Sequence, residues 1–397
     1  VLSYIGAGDT TDRGFTLVNG GGTRTIEVAN SAANLTFGGL VTSPDDSGFI
    51  KTGAGTLTLA NSANDYIGVT TVNGGVLAVA TLANGGLVSS IGKAGSDSAN
   101  LVLAGGTLDY LGATTTSDRG FTLGAGGGGI GVNNAGTTLT LSGAVVGAGR
   151  LGKEGDGTLL LTGSNSYTGG THVKGGTLRA GSAQAFGSPS GVMIIETGGR
   201  LELGGYDVTV GGLFGGGLID LGGNTLTSNG VSSNAFTGRI TGTGGLTRTG
   251  NWTQVLSGCA NDYTGKTTIS GGGTLAVDCI GNGGAASGIG ASSNASANLV
   301  FNNGTLGYSG GSVTTDRGFT LQGGTGAINV GDAAAILNFT GQVVGAGTLG
   351  KSGAGTLVLS GANTYTGGTS VSGGVLRVNS ASAFGNSGAL ALSNLAG

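Results

Sequence analysis

Apolar and polar residues alternate in short bursts along this chain, and glycine closes most of the bursts. Thr56-Leu57-Thr58-Leu59 is followed by Thr70-Thr71-Val72, then by Gly74-Gly75-Val76-Leu77-Ala78-Val79. Alternation throws Leu57 and Leu59 to one side and Thr56 and Thr58 to the other, as a strand with one buried face requires. Glycines at the corners supply positive φ and let neighbouring backbones approach closely. No stretch of about 12 residues avoids glycine and β-branched residues while keeping a 3.6-residue period, so essentially no α-helix is expected. Short strands and frequent corners at a spacing of about 20 residues predict an all-β solenoid of about 20 coils.

A longer period overlies the short one. Lys351-Ser352-Gly353-Ala354-Gly355-Thr356-Leu357 opens a phrase that runs to Leu376 and recurs from Lys51 to Leu77, from Lys153 to Leu178 and, in worn form, from Arg248 to Leu275. Its tyrosines, Tyr66, Tyr167, Tyr263 and Tyr365, are 101, 96 and 102 residues apart. The pattern divides the chain into units 1–106, 107–199, 200–304 and 305–397. The first and third units share an extra loop, as Gly85-Gly86 to Asn100 and Gly283-Gly284 to Asn298, whereas the second and fourth share Ala185-Phe186-Gly187 and Ala383-Phe384-Gly385. The period is therefore a super-repeat, 1–199 and 200–397, within one continuous solenoid over 1–397. Gly397 reads on into Val1-Leu2-Ser3-Tyr4, as Gly106 reads into Thr107-Leu108-Asp109-Tyr110, which predicts a window in a longer tandem array.

Composition narrows the function. Glycine fills 93 of 397 positions and proline 2, yet mean hydropathy is +0.24, an apolar content that a disordered chain lacks. Net charge is −3, and only 9% of residues are charged. Without a basic cluster there is nothing to neutralise phosphates, so a nucleic-acid partner is excluded. No segment approaches the roughly 20 apolar residues of a membrane span, so no membrane insertion by this segment is expected.

Several residues invite a chemical reading. Asp12-Arg13, Asp118-Arg119 and Asp316-Arg317 recur in a Thr/Ser-Asp-Arg-Gly-Phe-Thr-Leu phrase. Adjacent strand residues face opposite ways, so the pair suits a turn in which Asp caps N–H groups and Arg bridges to the next coil. Each Asn-x-Tyr, with Asn64, Asn165, Asn261 and Asn363, reads as a corner with the ring packed across it; an exposed ring would make Tyr66, Tyr167, Tyr263 and Tyr365 ligand-facing aromatics for stacking on sugars. Cys259 and Cys279 lie one coil apart just beyond strand ends, where a disulfide can form, free thiols being the alternative. His172 aligns with an outward position and has no acidic pair nearby in sequence. Glu196 and Glu202, or Asp45 and Asp46, are the nearest approach to the paired acids of a glycosidase, and the pattern places neither pair well. Nothing in these positions implies a catalytic residue, a metal ligand or a cofactor.

The phrase Lys-x-Gly-x-Gly-Thr-Leu-x-Leu-x-Gly-x-Asn-x-Tyr-x-Gly-x-Thr-x-Val-x-Gly-Gly-x-Leu resembles the passenger-associated transport repeat of bacterial autotransporters. Gly157 to Leu178 and Gly355 to Leu376 fit nearly throughout, and Gly55 to Leu77 fits with Ile67 in place of Thr. The third copy departs, with Asn251-Trp252-Thr253-Gln254 setting a polar Gln254 where Leu57 stands, which predicts a locally distorted coil. The resemblance implies a right-handed, single-stranded parallel β-helix, exported through the outer membrane to the bacterial surface. It implies a non-enzymatic rod or fibre segment: an adhesin stalk, or a biofilm or filament component. The alternative is an adhesive module that binds surface glycans or its own kind, end to end or laterally, through a repeated face. A carbohydrate-active β-helix enzyme is the remote alternative and would need charged residues clustered in one unit only.

Overall fold

Alternation becomes strand throughout. The structure, a computed structural model, describes residues 1–20, 24–230, 232–379, 381–385 and 388–392. The junction expected at Gly397 lies outside them. The chain forms an all-β parallel solenoid of about 17 turns, and the strand pairings among the described residues are parallel, as in Leu57↔Leu77 and Leu77↔Leu108. Those two steps differ, 20 residues against 31, which is why the turns are fewer than the expected 20. The longer step holds the extra loop, which ends in a single 3-10 turn at Ser98–Asn100; its counterpart is Ser296–Asn298. Together with Ala381–Phe384 these are the helical segments among the described residues.

Two compact units divide the chain, Val1–Glu202 and Leu203–Gly397. In the first, a main ladder runs from Asp9–Thr11 through Asn34–Phe37, Thr56–Leu59, Val76–Val79, Thr107–Tyr110, Gly128–Val132, Leu151–Glu154 and Thr171–Val173 to Val192–Ile195. A 7-stranded sheet from Leu2–Tyr4 to Val145–Gly147 forms a second face. Strands from Thr115–Ser117 to Gly199–Glu202 form a third. The second unit has the same three faces. Its main ladder runs from Gly212–Gly215 to Leu390–Leu392, its second face from Val208–Val210 to Val343–Gly345, and its third from Val313–Thr315 to Val375–Val378.

Like side chains stack inward along each ladder. Leu57, Leu77, Leu108 and Ile130 are in register and none is more than 1% exposed. Each such side chain contributes about 1.5–3 kcal/mol by leaving water, and it does so because the rungs above and below cover it. Leu357 is as fully buried as Leu57.

The motif changes face between copies. In the first unit, Phe49–Thr52 lies on the second face and Thr56–Leu59 on the main ladder. In the next copy Leu151–Glu154 is on the main ladder and Thr158–Leu161 on the third face. The second unit repeats this succession, with Leu246–Arg248 and Thr253–Leu256 followed by Thr348–Ser352 and Thr356–Leu359. A repeat of about 100 residues is thus not a whole number of turns, which is why two copies rather than one make the repeating element.

Candidate functional site

The residues that define the repeated phrase point inward. Lys51, Lys153 and Lys351 have no exposed surface. Each ammonium donates to three carbonyl oxygens. For Lys153 these are Glu154 (2.7 Å), Gly155 (2.7 Å) and, one coil on, Gly175 (3.2 Å). Lys51 uses Thr52, Gly53 and Gly74, and Lys351 uses Ser352, Gly353 and Gly373. An ammonium has three N–H bonds, and all are satisfied. The glycine two residues on is what turns the corner: Gly155 has φ of +73°, and a Cβ there would lie 2.5 Å from the Val132 carbonyl oxygen. Lys-x-Gly is a buried cation with its own ring of carbonyls.

Asparagine and tyrosine serve the same end. Asn165 Oδ1 accepts from the Val145 N–H at 2.8 Å, and its Nδ2 donates to the Ala185 carbonyl at 2.7 Å, so one side chain joins three successive coils. Asn64 and Asn363 repeat this between Val41 and Ser90 and between Val343 and Ala383. Tyr66, Tyr167, Tyr263 and Tyr365 are all 0% exposed, which overturns the expectation of ligand-facing aromatics. Each hydroxyl shares a hydrogen bond of 2.6–2.8 Å with the threonine four residues later, Thr70, Thr171, Thr267 or Thr369. The ring fills the core, and the threonine satisfies its one polar atom.

The Asp-Arg phrase moors the extra loop. Asp118 accepts from the Gly85 N–H at 2.7 Å, and Arg119, buried, donates to the carbonyls of Ala83, Leu87 and Gly92. Asp316 and Arg317 hold the matching loop through the Gly283 N–H, the carbonyls of Gly281, Asn282, Ala285 and Gly290, and Ser292 Oγ. Asp12 and Arg13 are exposed and, among the described residues, have no such loop to hold.

The worn third copy keeps its register. Gln254, buried, pairs with Asn234 and Leu275 in the ladder and exchanges hydrogen bonds with the Leu213 N–H (3.0 Å) and carbonyl (3.1 Å). The expected distortion is absent because the amide bridges strands instead of seeking water. Arg248 stands in for lysine and donates to the Ser228 and Trp252 carbonyls. The substitution is less complete: Arg248 Nε, Asn234 Nδ2 and Asn229 Oδ1 find no partner among the described residues. Beside it, Cys259 and Cys279 are joined in a disulfide across neighbouring strand ends, with Cα atoms 5.5 Å apart.

The outer surface holds charges that the linear sequence does not bring together. His172 Nε2 lies 2.8 Å from Glu196, and Lys174 Nζ lies 2.5 Å from Glu154. His172 thus has an acidic neighbour after all, 24 residues away on the next coil. Glu202 pairs with Arg179 and Arg200, so Glu196 and Glu202 serve different partners rather than forming an acid pair. Asp45 caps the N–H groups of Ser47 and Asn19. Among the described residues there is no group of three His, Cys, Asp or Glu able to hold a metal ion, and no helix long and apolar enough to cross a membrane.

Residues 49–79, 151–180, 246–277 and 349–378 match the model of the passenger-associated-transport-repeat family. The chain is also similar to the Adhesin BmaC autotransporter of Brucella suis biovar 1 (strain 1330), with 68% identity over 394 residues, 99% of this chain and 12% of that protein. The chain carries the passenger-associated transport repeats of bacterial autotransporters. No solved structure matches it. Passenger sequence of this kind is secreted and displayed at the cell surface.

The passenger's interior polar groups set its behaviour with pH. Burial pushes Lys51, Lys153 and Lys351 down to about 8 from 10.5, against the carbonyls that favour the charged form. Between about pH 8 and pH 10 the unfolded chain holds more protons than the folded one, so stability rises with pH. Burial raises the hydroxyls of Tyr66, Tyr167 and Tyr263. Above about pH 10 the unfolded tyrosines alone ionise, and stability falls. The guanidinium chloride midpoint of the passenger is therefore expected to climb from pH 8 toward pH 10 and drop beyond it. A midpoint that stays flat from pH 8 to pH 10 would show that the carbonyls, not burial, govern the lysines.

Proposed function

We propose that this passenger is the structural part of a surface adhesin, a solenoid stalk with no catalytic role. The observation that carries the reading is the inward direction of the repeated polar residues. Lys153, Asn165 and Tyr167 each bond backbone or threonine inside the coil stack, so what the repeat preserves is a shape. The printed name of the relative, an adhesin, supports an adhesive surface protein; the chain spans 12% of that protein, so an activity of the whole is a separate matter. Stability that accumulates by nearest-neighbour stacking suits a spacer, since more coils give more length without a new core. Negative-stain electron microscopy of the purified chain is expected to show elongated particles. Round particles would overturn the stalk.

A further inference from the structure

On the main ladder of the first unit, the outward column runs Thr107, Gly129, Gly152, His172. Two successive glycines leave a notch between the side chains of Thr107 and His172. With strands about 4.8 Å apart, the notch is two strands wide. Gly105, Gly106, Gly126 and Gly127 at the preceding corner continue it into a cavity of about 200 Å³, rimmed by Arg150, Glu154, His172 and Lys174. Gly152 is the open part of the floor: a Cβ there would meet nothing closer than 3.5 Å.

The rim is specific to this unit. The second unit has the same ladder, with Thr305, Ala327, Gly350 and Ser370 in the same column. Where the first unit has Arg150, Glu154, His172 and Lys174, the second has Thr348, Ser352, Ser370 and Ser372. The fold therefore does not need these charges. Their placement around one cavity calls for a reason outside the coil-to-coil contacts that explain the buried lysines.

We propose that this cavity binds a carboxylated sugar residue of a glycan. Lys174 forms an ion pair with Glu154, and His172 Nε2 shares a hydrogen bond with Glu196, so donors and acceptors stand fixed at the rim, as a ring of hydroxyls requires. Arg150 is exposed, and among the described residues its guanidinium has no acidic partner; it is the group suited to grip a carboxylate with two parallel hydrogen bonds. A bare backbone floor lets a flat ring approach closely. At about 200 Å³ the space is below the roughly 300–1,000 Å³ of a drug-sized pocket, which fits one ring of a longer chain rather than a whole ligand.

The test titrates the full chain with tetragalacturonate and with its methyl ester by isothermal calorimetry or ligand-observed NMR. The acid is expected to bind with Kd on the order of 1 mM or tighter, weakening with salt, and the ester at least about ten-fold more weakly. The quadruple variant R150T/E154S/H172S/K174S, which copies the second unit, is expected to keep its circular dichroism and lose at least about ten-fold in affinity; R150T alone, on an otherwise intact rim, is expected to lose the preference for the acid over the ester. No binding by the wild type, equal binding of acid and ester, or undiminished binding by the variants would overturn the site. The result is separable from the stalk reading, because elongated particles can fail to bind and binding chains can fail to be elongated.

Discussion

Replacing Lys153 with methionine is expected to cost about 3 kcal/mol of local stability, far more than a lysine exchange at a surface. The methionine stem would fill much of the same space, but the carbonyls of Glu154, Gly155 and Gly175 would lose their common donor inside the coil wall. Stranded buried acceptors cost about 1–3 kcal/mol each when nothing relaxes, and partial relaxation brings three of them to roughly the stated total. Hydrogen exchange is the right measurement, since long repeat arrays do not unfold in two states. Amides of Leu151–Glu154 and Thr158–Leu161 should exchange about 100-fold faster, at 1.4 kcal/mol for each factor of ten. Lys153→Arg should cost less, because the third copy accepts Arg248 at this place, and more than nothing, because Arg248 leaves Nε unpaired. Protection unchanged in the methionine variant, or arginine as damaging as methionine, would show that the ammonium does not hold the corner.

Changing Arg317 to methionine should release a loop while sparing the ladder. Five groups, the carbonyls of Gly281, Asn282, Ala285 and Gly290 and the Ser292 hydroxyl, converge on that one guanidinium. Removing it should cost the loop about 3–5 kcal/mol, the scale for breaking a buried charged network. Residues 281–292 should then exchange at rates near those of unstructured chain and become a site of proteolytic nicking. Thr274–Val277 and Leu299–Asn302 should stay protected, because their pairings do not involve the loop. Arg317→Lys should restore little, since a single ammonium cannot reach five acceptors spread over a planar fork. A loop that stays protected in the methionine variant would assign its order to Asp316 and the backbone instead.

The fold was legible because its signal is local. Alternation at Thr56-Leu57-Thr58-Leu59 and glycine at the corners suffice to place a strand and its buried side, and Leu57 is where that logic puts it. The role of Lys51 was not legible. A lysine in a weakly charged chain reads as solvated, and its third acceptor, Gly74, is 23 residues away on another coil. The tyrosines misled for a related reason: an aromatic beside a turn residue can pack outward or inward, and only the threonine four residues on, Thr70 for Tyr66, marks the inward choice. The same device accounts for Gln254, whose partner Leu213 lies 41 residues back. Asp118 and Arg119 were legible as a turn with a bridge to another coil, but not the loop they hold. The rim around Gly152 needed the register, since His172, Glu196, Lys174 and Glu154 are brought side by side by coil length rather than by sequence spacing.

The shift of one face between successive motif copies has an evolutionary consequence. Duplicating a single copy would move the motif onto different faces of its unit, whereas duplicating two together restores the same succession of faces within the new unit. Recombination among the copies therefore favours pairs. Because the plugs that hold a coil are interior, the outer columns of a duplicated pair are free to drift apart, as serine and arginine–glutamate surfaces have done on the same scaffold. Gene duplication in such a protein yields new exteriors from an inherited interior.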